Sequence, residues 1–453
     1  KADAKSKKSG HADVSAYRSI IDAVGATKFI GYTDFESEST LKAILVDGKS
    51  VAEADAGAEV EVVLDRTPFY SEGGGQLADG GRITLANGTV IEIDDVQTPV
   101  PGLYIHRGSI VSGHARANES VFASIDHERR AAISRAHTAT HMVHKAFREA
   151  LGESATQAGS ENAPGRFRFD FPSSGAVPPS VLRYVEARVN SLLIENLSVT
   201  AQEMSQAEAK SIGAMALFGE KYGEKVRVVS VGEWAKELCG GTHVKSSAEL
   251  GLVKLLSESS IGAGVRRVEA LVGFDAFNFL AREHILLNQI TDLIKGSRVE
   301  DLPERISDIL EKMKNVEKEL ATMREEKALS AASDLLKSAE KINGTSVLLS
   351  SAPDGLTADI LRTIALDLRS KNPNSVVGLT SLTDGKIVLV VATDDESRKR
   401  GLKAGALVKI GSTVLGGGGG GKDDFAQGGG TDASKIESAF TEMKRAISTS
   451  LGA

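Results

Sequence analysis

The sequence predicts an α+β chain: a small β-barrel, an α+β domain carrying metal-type ligands, a helical, coiled-coil-like spacer and a C-terminal α/β domain. Three patterns predict it. Short alternating apolar segments, such as Glu59 to Leu64 and Val90 to Ile93, are broken by Asp-Gly and Gly-Gly turns between Thr27 and Phe122, as in a small barrel or open sheet. From Asp126 to Phe279 helical and strand patterns mix. Further on, Ile306, Ile309, Met313, Val316, Leu320 and Met323 recur at steps of three and four among many Glu and Lys, which reads equally as a coiled-coil seam or as one amphipathic helix packed on a neighbour.

Length sets the number of parts. At 453 residues with 41% hydrophobic, the chain exceeds one typical domain, and about three is the expectation. The boundaries fall at 1–26 for a polar linker, 27–122 for the barrel, 123–279 for the α+β domain, 280–343 for the spacer and 344–453 for the C-terminal domain. Lys1 to Gly10 is lysine-rich and has no apolar core of a signal peptide, so it reads as a disordered boundary. No apolar run approaches the roughly twenty residues that span a bilayer, so no membrane partner is expected. One cysteine excludes an internal disulfide and fits a reducing, cytoplasmic setting. A net charge of -7 argues against a wholly basic nucleic-acid coat, although phosphate binding needs only a local positive surface.

Within 123–279, the stretch from Ile133 to Leu151 lacks Pro and Gly and carries apolar residues at Ile133, Met142, Val143, Ala146, Phe147 and Ala150. It predicts an amphipathic helix ending near Gly152. His137 and His141 then lie one turn apart on one face, the spacing two imidazoles need to share a metal. About a hundred residues on, the only cysteine stands in Cys239-Gly240-Gly241-Thr242-His243, where two glycines favour a tight turn over a helix interior. Either pair alone reads more readily as a solvated helix face or a small buried thiol. Together, His137, His141, Cys239 and His243 supply the number and type of donors that one Zn²⁺ takes in a tetrahedral site. His144, a turn from His141, is expected to be a surface or supporting residue. A further helix is expected from Ser180 to Asn196, with strands at Lys225 to Val231 and Gly251 to Leu256.

The C-terminal region predicts strands at Ser346 to Ser350 and Lys386 to Ala392, and helices at Thr357 to Ser370 and Ala433 to Ser448. Six glycines, Gly416 to Gly421, precede Lys422 and Asp423. A phosphate loop of the Walker type needs Ser or Thr after the lysine, so nucleotide triphosphate binding is disfavoured. Close approach to a nucleic-acid backbone through Gly418 and Lys422 is the functional reading, a flexible linker the plain one. Arg398, Lys399, Arg400, Lys403 and Lys409 form a stretch without acids that reads equally as a phosphate-facing patch or a solvated face.

Arg135-Ala136-His137-Thr138-Ala139-Thr140-His141, Gln157-Ala158-Gly159-Ser160, Arg168-Phe169-Asp170-Phe171 and Cys239-Gly240-Gly241-Thr242-His243 resemble the editing domain of alanyl-tRNA synthetase. Thr67 to Gln76 with Asp79-Gly80-Gly81 resembles that domain's glycine-rich motif, and Gly416 to Lys422 with Ala426 to Gly430 resembles the enzyme's C-terminal domain. The motifs keep the family's order over most of the chain. The resemblance implies the C-terminal part of such an enzyme, without its aminoacylation domain. It implies a zinc editing domain that hydrolyses serine or glycine from tRNA-Ala, followed by a tRNA-binding C-terminal domain that dimerises together with the spacer. Thr140 would meet the serine hydroxyl, its plain reading being a helix Thr bonded to its own backbone, while Gln157, Gln76 and Asp170 would orient water or the terminal adenosine, with Gln76 read in preference as a polar end to a glycine loop. Free-standing trans-editing proteins and threonyl-tRNA synthetase editing domains share parts of the pattern, and a non-catalytic RNA-binding module with structural zinc is the reading from another class.

Overall fold

The computed structural model describes residues 14–215, 223–295 and 298–452; the expected disordered opening, Lys1 to Gly10, lies outside them. The chain divides into two compact units, Lys1–Asn288 and Gln289–Ala453.

The first unit begins with a helix, not a linker: Val14–Val24 buries Tyr17 and Ile20 against Ala43, Leu45, Val63 and Leu103 on the outside of the barrel. The expected boundary at residue 26 missed it because only two of its residues are fully buried. The barrel itself has six antiparallel strands in the order Ser120–Ile125, Gly81–Leu85, Val90–Val100, Leu103–Ser112, Glu59–Leu64 and Glu36–Val46, closed by pairing of the last on the first. Burial alternates along Glu36–Val46, as the two-residue strand period requires, and Leu41, Ile44, Val62, Ile83, Ile91 and Ile110 fill the interior. Closure leaves no open edge.

Helix His127–Leu151 leaves the barrel directly. Asp126 caps it by accepting the Arg129 amide, and Gly152 ends it. It lies against a four-stranded antiparallel sheet of Gly159–Ala163, Arg166–Pro172, Val265–Val272 and Val253–Gly262, where Phe147, Phe169 and Phe171 are fully buried. A second sheet joins Val199–Ser205, Lys225–Val231 and Ala235–Leu238, and helix Pro179–Ile194 covers the same core. The expected strand from Gly251 starts instead at Val253 and runs to Gly262, because Leu250 and Gly251 still belong to a short 3-10 turn and its cap.

Two long helices occupy the spacer, Phe274–Leu293 and Leu302–Leu335. The apolar stripe of the second is 41% to 63% exposed from Ile306 to Met323 among the described residues. The expected boundary at 343 falls inside a hairpin: Glu340–Ile342 pairs with Thr345–Ser351 across Asn343-Gly344. These open a six-stranded sheet continued by Ser375–Thr383, Lys386–Thr393, Phe425–Gly430 and Gly419–Gly421. Alternate residues feed two cores, Val347, Leu389 and Met443 on one face and Leu348, Leu361 and Val390 on the other. Ser375–Thr383 is buried on both faces, and its unbroken run hid it from the alternation test. Among the described residues no helix is long and apolar enough to cross a membrane.

Candidate metal centre

Helix His127–Leu151 and the turn after strand Ala235–Leu238 bring four donors together. One ligand atom from each of His137, His141, Cys239 and His243 lies within 4.8 Å of the others. Cys239 Sγ is 3.4 Å from Nε2 of His137 and 3.4 Å from Nε2 of His243, close to the roughly 3.5 Å between ligand atoms that tetrahedral Zn–S and Zn–N bond lengths dictate. The turn admits no side chain at Gly241, where a Cβ would lie 2.1 Å from His137 Cε1.

The rest of each imidazole is held from behind. Gln76 Oε1 accepts from the Thr242 amide at 2.8 Å and lies 2.9 Å from His137 Nδ1, so that nitrogen carries the proton. The Thr138 hydroxyl donates to Ser134 O at 2.9 Å, which leaves its oxygen to accept from His243 Nδ1 at 3.0 Å. His141 Nδ1 lies 2.5 Å from a Glu237 carboxylate oxygen. All three rings therefore direct the Nε2 lone pair inward, as metal-ligating histidines supported by carboxylate or carbonyl groups do.

Charge follows geometry. Burial pushes the Cys239 thiol up, but His137, His141 and His243 around it outweigh this and hold it well below the ordinary thiol range, which favours the thiolate, the ligating form. Burial likewise opposes ionisation of Glu237, yet His141 and His144 pull it down to about 2. Two buried anions side by side call for a compensating cation. Burial opposes the His141 cation, but Glu237 and Cys239 push its value up to about 10, while burial lowers His243 to about 3.

Residues expected around this cluster fall in different places. His144 is not on the surface: it is 1% exposed, with Nδ1 3.0 Å from the other Glu237 oxygen. Thr140 is buried, and its hydroxyl contacts Ala136 O at 3.0 Å and Asn162 Oδ1 at 2.6 Å. Gln157 bonds the Ser160 hydroxyl at 3.1 Å. Asp170 is committed to Arg267 through two bonds of 2.7 and 2.8 Å, which leaves it poorly placed to orient water. Gln76 does end a glycine turn, pairing with Gly73 across Gly74-Gly75, and its side chain is fully buried. A cleft of about 530 Å³ opens beside the cluster, lined by Thr242, His243, Tyr32, Phe35, Arg135 and Lys245 among others.

Glu237, Asn162 and Tyr32, whose hydroxyl donates to Gly240 O at 2.7 Å, were not anticipated. Only Glu237 left a signal, as an acid on the buried face of the strand leading to Cys239.

The model of class II (A) tRNA synthetases matches residues 1–129, that of the threonyl and alanyl tRNA synthetase second additional domain residues 226–269, and the DHHA1 domain residues 344–449. An alanine–tRNA ligase of Streptomyces avermitilis is 55% identical over 450 residues, 99% of this chain and 50% of that protein. The chain belongs to the alanine–tRNA ligase family. A Nocardioides ligase is 55% identical over 97% of the chain and 49% of its own length, so the chain spans about half the length of the curated relatives it matches. The solved C-Ala domain of Aquifex aeolicus alanyl-tRNA synthetase is 29% identical over 24% of this chain and 97% of that one, with a TM-score of 0.22.

In this family member the C-terminal basic stretch is largely spoken for. Arg398 pairs with Asp395, Lys399 with Glu396 and Lys403 with Asp423, and Arg400 donates to Thr345 Oγ1 and Asn343 O. Asp395 and Glu396 lie just before the stretch and Asp423 well after it. Lys409 and Lys422 are exposed. The glycines serve the sheet: a Cβ on Gly417 would lie 2.1 Å from Gly429 O, and one on Gly419 2.6 Å from Gly428 Cα, while Gly418 faces open space.

Proposed function

We propose that this chain is the editing part of an alanyl-tRNA synthetase and hydrolyses the ester of tRNA-Ala mischarged with serine or glycine. The observation that carries this reading is the convergence of His137, His141, Cys239 and His243, with Nε2 and Sγ facing one point inside a family member. These four residues hold one Zn²⁺. When bound, the ion supplies Lewis-acid polarisation of a carbonyl or anchorage for a substrate amine.

The protein's own groups do the remainder. Gln76, Thr138 and Glu237 fix the ligand rings. Arg135 and Lys245 line the cleft beside His243 and suit the phosphates of an acceptor end. Thr140 and Asn162 form a polar pair beside the ligands that meets the hydroxyl of serine and offers nothing to alanine. A second, hydrolytic sieve of this kind is needed because an apolar alanine pocket rejects small analogues weakly. The C-terminal unit contributes tRNA binding and, with the exposed stripe from Ile306 to Met323, a homodimer contact.

Deacylation of Ser-tRNA-Ala by the purified chain tests the proposal. The wild type releases serine and Cys239→Ala loses most of this activity; equal release by both would remove the cluster from the reaction.

A further inference from the structure

The barrel touches the ligand turn through Tyr32, but it reaches a ligand ring through Gln76. Gly73 and Gln76 exchange backbone hydrogen bonds at 3.1 and 3.0 Å, and the two residues between them, Gly74 and Gly75, both have positive φ, +58° and +79°. That is the backbone a two-residue I′ hairpin turn demands. A side chain at Gly75 would lie 2.2 Å from Ser160 Oγ, so only glycine lets the turn approach this closely. The backbone is then pinned from the far side, where Leu77 N donates to Asn162 O and Asn162 N donates to Gly75 O.

From this anchored turn the Gln76 side chain, 0% exposed, joins the two halves of the ligand set. Its Oε1 takes the Thr242 amide and the proton of His137 Nδ1, at 2.8 and 2.9 Å. Its Nε2 donates to Thr242 Oγ1 at 2.9 Å, and that hydroxyl lies 2.8 Å from Ser134 Oγ on the ligand helix. A backbone N–H can only donate, so the amide orientation is settled by Thr242, and with it the tautomer of His137. Apart from the ligands themselves, Gln76 alone among the described residues hydrogen-bonds both the His137 ring and the Cys239–His243 turn.

We infer that Gln76 is a positioning residue for the metal centre. It acts through His137 and the Cys239–His243 turn, holding the Nε2 lone pair of His137 inward and setting the spacing of the helix ligands from the turn ligands. The barrel is thereby part of the metal site and not merely a neighbouring support. The inference rests on the proposed metal centre but concerns ligand geometry, and its readouts do not depend on deacylation.

The test compares the full chain with Gln76→Met and Gln76→Glu. Met keeps the length and removes both polar atoms, leaving His137 Nδ1 and Thr242 N without an acceptor. Glu keeps the acceptor, and the Thr242 hydroxyl can rotate to donate to its second oxygen. Affinity for Zn²⁺ from chelator competition should fall 10- to 100-fold in Gln76→Met, the range found for lost outer-shell partners, with shifted visible bands in the Co²⁺ form. Gln76→Glu should stay within about threefold of wild type, as a retained acceptor implies. Wild-type affinity and spectrum in Gln76→Met would overturn the inference. So would loss of affinity in Gln76→Glu equal to that in Gln76→Met, and if Gln76→Met fails to fold, a loss of about tenfold or more in Gln76→Glu overturns it. Long-range ¹H–¹⁵N spectra give a metal-free readout: His137 should be the Nδ1–H tautomer in wild type and Gln76→Glu, and an Nε2–H tautomer in wild type would also overturn it. If wild type binds neither metal, the metal reading fails, and the tautomer spectra still judge the role of Gln76.

Discussion

Thr140 shows how a single hydroxyl is constrained. It has one proton, yet two acceptors stand within reach, Ala136 O and Asn162 Oδ1. Asn162 Nδ2 is buried and has no hydrogen-bond partner among the described residues. A buried orphan donor costs about 1–3 kcal/mol, which a substrate hydroxyl beside Thr140 would relieve. Thr140→Val keeps the shape and deletes the hydroxyl. It should slow Ser-tRNA-Ala deacylation about tenfold, equivalent to roughly 1.4 kcal/mol, with metal content unchanged. Full activity with undiminished preference for serine over alanine would make Thr140 a packing residue. At this scale the sequence was informative about ligands and silent about their supports. His137 and His141 are spaced by one helical turn and Cys239 is the only cysteine, so their grouping could be read locally. Gln76 lies 61 residues from His137, and its turn is held there by backbone bonds to the distant Asn162.

At the scale of elements, the barrel carries a titratable group that sequence patterning treats as ordinary. His106 is fully buried in strand Leu103–Ser112, with Nδ1 3.0 Å from Val62 O and Nε2 2.7 Å from Thr67 Oγ1. Burial lowers it to about 4, below the unfolded value of about 6.5. A depressed folded value means that stability is intact above about pH 6.5 and is lost as pH falls toward 4, because the unfolded chain takes up the proton first. At pH 5 the loss should be about 2 kcal/mol relative to pH 7. Urea unfolding of wild type and His106→Gln at both values checks it: the variant should lack this part of the pH slope, and identical slopes would show that His106 is not the group responsible. Elements were legible where one face is buried, as in Glu36–Val46 and His127–Leu151. They were missed where burial is two-sided, as in Ser375–Thr383, or where glycines form a strand, as in Gly419–Gly421. There, close backbone approach, not side-chain pattern, sets the structure.

For the whole molecule, the order of barrel, α+β domain, helices and C-terminal sheet followed from patterning, whereas the ends of the units did not. Val14–Val24 and Glu340–Ile342 are short and only partly buried, so nothing in their composition marks them as belonging to a fold. The same limit applies to charge. Counting Arg398 to Lys409 suggested a cationic patch, but its acidic partners sit outside the window. Lys409 and Lys422 enter no ion pair among the described residues, and tRNA affinity should report this: each change to Ala lowers the slope of log affinity against log salt by about 1, while Lys399→Ala leaves it nearly unchanged. An unaltered slope in both of the first two would take the C-terminal unit out of phosphate binding. The central claim is that one metal held by His137, His141, Cys239 and His243 supports editing. It is tested most directly by stripping the full chain of metal and following Ser-tRNA-Ala deacylation as Zn²⁺ is added back. The account predicts negligible hydrolysis without metal and a rise that saturates at about one Zn²⁺ per chain. Full activity in the metal-free protein, or stoichiometric zinc without hydrolysis, would contradict it.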